Sequence, residues 1–178
     1  MITKDKFLKF YPNNLNASKC WDEMLNQLYE KQLLSELMMV AMLATVRIEN
    51  GRDFLPRREI ITPELAEAHY GYQTRVGKIL GNTQTGDGYF FRGSGYPQLT
   101  GRWNFQNAQN KTGLPLITNP DLLLDIHNSV LEMVLFAQEK GVKQYADKQD
   151  WDTFRHIWNG GSNGLVDFKR VIGDYLSP

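Results

Sequence analysis

The sequence predicts a mainly α-helical protein, a single domain over residues 1–178 with at most a small β-hairpin. Three observations lead there. Apolar residues recur at spacings of three and four along most of the chain. Capping residues stand where those patterns begin, and glycine or Asn-Gly stands where they stop. The glycine-rich stretches between them follow neither a helical nor a strand period. The length suits one domain, or two small lobes sharing a core, and is enough to bury a real interior.

Residues 4–10 set Phe7 and Phe10 on one face behind Thr3 as cap, and residues 18–34 align Trp21, Met24, Leu25 and Leu28 behind Ala17 and Ser18. Both are expected to be amphipathic helices. From Ser35, SELMMVAMLATVRIENG is apolar almost all round, with Ser35 as N-cap and Asn50-Gly51 as stop, the pattern of a central buried helix. In ITPELAEAHYG, Thr62 caps, Pro63 takes the first helical position and Gly71 lies beyond the end. Residues 81–97, GNTQTGDGYFFRGSGYP, read as a loop with turns and a candidate short strand at Tyr89 to Arg92. Asn119-Pro120 opens a helix that runs to Gly141 with a bend near Asp125, and another follows from about Asp150 to Trp158. NGGSNG breaks it at 159–164, and LVDFKRVIGDYL forms the last helix. No repeat, low-complexity tract or charged tail is present.

Lys plus Arg and Asp plus Glu number 20 each, so no net field recruits nucleic acid or an anionic membrane. Cys20, the single cysteine, excludes an internal disulfide and a cysteine-based zinc site, and is expected to be a small buried side chain. The start, MITKDKFLKFYP, has no signal-peptide core, and the longest apolar run, LMMVAMLATV at 37–46, is shorter than the roughly 20 residues that span a bilayer. A soluble protein made without its own secretion signal is expected, with no stable membrane insertion. His69, His127 and His156 lack metal-ligand spacing, RVGKIL lacks the Ser or Thr after Lys78 that a phosphate loop requires, and GSGYPQ lacks the third glycine of a dinucleotide fingerprint. Neither metal nor cofactor is expected.

Glu49 continues the stripe of Met38, Met42 and Thr45, so its carboxylate leaves the core face in the last helical turn. Partial desolvation and the helix dipole both favour a protonated carboxyl there, the state a general acid needs. The alternative is a terminal glutamate frayed into water. Glu59 follows across NGRDFLPRRE, where Gly51 and Pro56 suggest a turn back towards the helix end. It is a candidate base or a surface partner of Arg57 and Arg58, and Asp53 is an alternative base. Two carboxylates in unlike environments are the equipment for glycosidic hydrolysis. In GYFFRGSGYPQLTGRWNF, residues 88–105, glycines at 88, 93 and 95 admit close backbone approach to a ligand. Tyr89, Tyr96 and Trp103 offer flat faces for sugar rings, or belong to the core. Gln98, Thr100 and Asn104 supply amide and hydroxyl groups for sugar hydroxyls, acetamides or a water.

FRGSGYPQLTGRWNF resembles the YRGRGxIQLTGRxNY segment of family 19 glycoside hydrolases, the plant-type chitinase family, in its short bacteriophage endolysin branch. In the same order, GNTQTGDGYFFRG, ATVRIENGRDFLPRRE, NPDLLLD and HIWNGGSNGLVDFKR resemble further segments of that branch, as does the stretch from FLKFYP to NQLYE. The resemblance implies a lysozyme-like, two-lobed helical fold around a catalytic cleft, and inverting hydrolysis. By position it implies Glu49 as proton donor, Glu59 as the base that activates water, Thr100 as a holder of that water, and Gln98, Trp103, Asn104 and Asn159 as sugar contacts. Ile48 stands in place of the usual His, Ser94 in place of Arg, and Pro97 in place of an aliphatic residue.

The expected function is therefore a peptidoglycan hydrolase of muramidase type, acting as a monomeric phage lysis enzyme. It would be made in the cytoplasm of the infected cell and reach the periplasm and wall with the help of a membrane-permeabilising holin. The alternatives are a chitinase, or a non-catalytic glycan-binding or virion structural protein.

Overall fold

A computed structural model describes residues 2–161 and 163–177. The fold is mainly helical: α1 (Lys4–Lys9), α2 (Leu15–Glu30), α3 (Glu36–Asn50), α4 (Pro63–Tyr70), α5 (Arg75–Ile79), α6 (Asp87–Phe90), α7 (Arg102–Thr112), a 3-10 helix (Pro120–Leu124), α8 (Ile126–Lys140), α9 (Lys143–Asp147), α10 (Trp151–Asn159) and α11 (Leu165–Leu176). No strand forms among the described residues, only isolated bridges of Ser94 with Arg58 and Leu99. The chain makes two compact units, one of Met1–Leu55 with Met133–Pro178 and an inserted one of Pro56–Glu132.

The first unit is built on α3. Ser35 Oγ accepts the Met38 amide as N-cap, and nine consecutive residues, Met38 to Val46, are buried. That follows from a helix apolar on all sides, which must be surrounded; α2, α9 and α11 pack on it. Beside it, Phe7, Tyr11, Phe54 and Tyr175 form an aromatic cluster with centroids 4.8 to 6.3 Å apart. The Tyr11 and Tyr175 hydroxyls meet at 2.5 Å. Phe54, at φ 55, is fully buried in this cluster and pins the chain that follows α3. Phe154 of α10 stacks on Phe168 of α11 at 5.6 Å and 11°.

The second unit packs Phe91, Leu99, Phe105, Ala108, Leu116 and Leu123 together, with Leu114, Ile117 and Leu122 around them. Its loops are held by side chains acting as local scaffolds. Asp87 accepts the Thr83 and Gln84 amides and a two-pronged ion pair from Arg102. Asn82 bridges α4 to α7, donating to the Tyr70 carbonyl at 2.6 Å and accepting the Arg102 amide at 2.8 Å. Gly101, at φ 90, starts α7 where a Cβ would sit 2.5 Å from Leu80 Cβ, so only glycine fits.

Two expectations are corrected. The cap of α2 is Asn14, whose Oδ1 accepts the Ala17 amide, rather than Ala17 or Ser18; Leu15 is exposed, so the apolar stripe begins later than the helix. The candidate strand at Tyr89 to Arg92 is instead entered by the short helix α6, because Asp87 folds the preceding turn around its carboxylate. The bend near Asp125 is present: this residue is extended (ψ 137) between the 3-10 helix and α8.

Candidate active site

In the inserted unit the chemistry gathers on Glu59. Its backbone amide donates to the Gly93 carbonyl at 2.8 Å, laying residues 58–59 beside the glycine-rich loop. Its half-buried carboxylate is then held at both oxygens. Oε1 accepts the Tyr70 hydroxyl at 3.1 Å and Oε2 accepts the Gly93 amide at 3.3 Å. A Cβ on Gly93 would lie 2.8 Å from Gln98 Oε1 and 3.4 Å from Glu59 Cβ, so a side chain there would press on both. The Tyr70 phenol is pushed up from its ordinary value, first by burial and then by its hydrogen bond to Glu59 and that carboxylate's charge. It therefore stays a donor across the working pH range.

Gln98 sits at φ 51 and spends both amide hydrogens on the carbonyls of Arg57 and Gly95, at 3.1 and 2.8 Å. It clamps the loop, and only its Oε1 is left to accept from a ligand. Thr100 donates its hydroxyl to the Gln98 carbonyl at 2.9 Å, and Asn104 donates to the Thr100 carbonyl at 2.7 Å. A hydroxyl whose hydrogen is committed to a carbonyl offers its oxygen as an acceptor. Trp103 is 61% exposed and free to stack on a ring. Tyr89 is half-buried, with the Arg92 guanidinium 3.9 Å from its ring centroid, so one face is taken. Tyr96 is fully buried, and the expectation that it presents a face to sugar is corrected: it is a core ring.

In the other unit Glu49, next to the last residue of α3, keeps a quarter of its side chain exposed, and its Oε1 accepts from Arg155 Nη2 at 2.8 Å. The expected carboxyl in apolar surroundings is corrected to a carboxylate with a cationic partner, engaged but not sealed. Arg155 is 1% exposed, also donates to the Asn163 carbonyl, and lies over the Phe168 ring. Its Nε and Nη1 have no acceptor among the described residues. Asn159, exposed at the end of α10, donates to the same Asn163 carbonyl. Asp53 Oδ1 accepts the Leu55 amide at 3.4 Å in this unit.

Arg155 and Tyr70 are absent from the sequence-based candidates. The signal for Arg155 is its register: Trp151, Phe154 and Trp158 of α10 are buried, and position 155 falls within that stripe, where a cation demands a counter-charge. Tyr70 carries no such signal, because its role depends on Glu59 in another element. Among the described residues no three His, Cys, Asp or Glu side chains converge as metal ligands do. No helix among them is long and apolar enough to cross a membrane.

No protein-family model matches the chain, and no curated protein matches its sequence.

Proposed function

We propose that the protein is a peptidoglycan hydrolase of muramidase type that cleaves the bond between amino sugars by inverting acid and base catalysis. The observation that carries this reading is the Glu59 carboxylate, half-buried and held at each oxygen by Tyr70 and Gly93. The ordered motif resemblance to family 19 glycoside hydrolases supports the same assignment.

Glu49, in its protonated form, gives its proton to the bridging oxygen through Oε2, the oxygen that Arg155 does not engage. A water donates one hydrogen to Glu59 and the other to Thr100 Oγ1. Its lone pair is then directed at the anomeric carbon on the face opposite the leaving sugar. The C–O bond breaks as the water oxygen bonds to carbon, Glu59 takes the water proton, and solvent restores both carboxyls. This mechanism requires room for the water, with the carboxyls about 6.5 to 9.5 Å apart. Trp103, Gln98 Oε1, Asn104, Asn159 and the open face of Tyr89 are the proposed sugar contacts. A holin would give the protein its route from the infected cytoplasm to the wall.

The pairing of Glu49 with Arg155 favours one competing reading, a glycan-binding protein in which Glu49 serves as an ion-pair partner rather than a proton donor. Turbidity loss of Gram-negative cells stripped of outer membrane separates the two. Wild type is expected to lyse them, with Glu49→Gln and Glu59→Gln at least about 100-fold slower. An inert wild type supports the binding reading, and lysis that survives Glu49→Gln removes this residue as the acid. Chitin oligomers in parallel reveal a chitinase.

A further inference from the structure

Resting on the hydrolase reading, we propose that Tyr70 is a positioning residue for the base: its hydroxyl fixes Oε1 of Glu59 so that the carboxylate meets the attacking water in one orientation. A glutamate has three rotatable side-chain bonds, and a base that wanders among rotamers loses the alignment on which proton transfer depends. Gly93 anchors only Oε2, and a single anchor leaves rotation about it. The Tyr70 hydroxyl supplies the second.

The tyrosine is itself immobilised. It is the last residue of α4, its carbonyl accepts from buried Asn82 at 2.6 Å, and Asn82 also takes the first amide of α7, the helix that carries Trp103 and Asn104. A Cβ on Gly77 would lie 2.5 Å from the same carbonyl, so α5 closes against it. One buried asparagine thus sets the donor to the base and the start of the proposed sugar-contact helix in common register. Of the titratable groups around the pair, Arg92 donates to the Glu59 carbonyl at 3.2 Å and the His69 ring lies 5.8 Å from the Tyr70 ring.

The test has a turnover arm and one that needs no turnover. On peptidoglycan, Tyr70→Phe keeps the ring and is expected to lower kcat roughly 10- to 100-fold with KM within about twofold, the loss expected of one hydrogen bond to a charged group. Tyr29→Phe, on an exposed ring, serves as control. In the second arm, the Tyr70 ring is titrated by carbon NMR in wild type and Glu59→Gln. Its ionisation is expected to fall towards the ordinary tyrosine value in the variant, because the carboxylate's charge and its charged hydrogen bond are both lost. A Tyr70→Phe kcat within twofold of wild type, or an unchanged Tyr70 titration, overturns the assignment. A wild type that cleaves no glycan sinks the hydrolase reading instead, and the titration alone then judges the coupling.

Discussion

Arg155 and Glu49 are an unequal pair, and the inequality has measurable consequences. The guanidinium is 1% exposed while the carboxylate keeps 25%, so losing the anion strands a buried charge, whereas losing the cation leaves a carboxylate that water can reach. Glu49→Ala is expected to destabilise the protein by about 3 kcal/mol in urea unfolding, and Arg155→Met by less than half of that. Glu49→Gln keeps an oxygen for Nη2 and is the gentler probe of activity. Gly93→Ala is expected to cut hydrolysis at least about tenfold while leaving the unit folded, since the added carbon meets Gln98 Oε1 and the side chain of the base rather than the core. At this scale the sequence showed that Glu49 continues the stripe of Met38, Met42 and Thr45, with its carboxylate leaving the core face. It could not show the partner, because Arg155 lies 106 residues away on another helix.

At the scale of elements, the inserted unit depends on Asp87. Burial alone would raise the pKa of this carboxyl, but the Arg102 guanidinium and the Thr83 and Gln84 amides outweigh burial and hold it below its ordinary 3.8. A depressed folded-state pKa contributes stability that is complete above the unfolded value and is lost as pH falls through the folded one. Wild type should therefore lose stability on acidification below about pH 4, and Asp87→Asn should show a flatter acid limb and a loss of about 3 kcal/mol at neutral pH. Thr62→Ala, which removes the acceptor for the Leu65 amide at the start of α4, is expected to cost about 1 kcal/mol by thermal unfolding. The helices legible in advance, α1, α2, α3, α4, α8, α10 and α11, have side-chain caps or broad apolar stripes. Those missed are uncapped or short: α7 starts on an uncapped glycine and buries only Phe105 and Ala108, while α5 and α9 run five residues each.

At the scale of the molecule, charge is balanced within each unit as well as overall, with 13 basic and 13 acidic residues in the discontinuous unit and 7 of each in the inserted one. No long-range field is available to draw the protein to an anionic wall. Lysis rates are expected to change less than about twofold between 20 and 150 mM salt, where screening would slow a cationic enzyme severalfold. A steep fall with salt would point to a local basic patch doing the recruiting. Net neutrality was legible from composition; that the chain leaves one unit at Leu55 and returns to it at Met133 was not, because α8 runs through the return without a break.

The central claim is that a water attacks the anomeric carbon of a muramic acid residue while Glu49 protonates the departing oxygen. Digestion of purified peptidoglycan, followed by borohydride reduction and mass spectrometry of the fragments, tests it most directly. The account predicts fragments that end in reduced N-acetylmuramic acid, absent when Glu49 is glutamine. Fragments that end in reduced N-acetylglucosamine, severed peptides with intact glycan, or no products at all would contradict it.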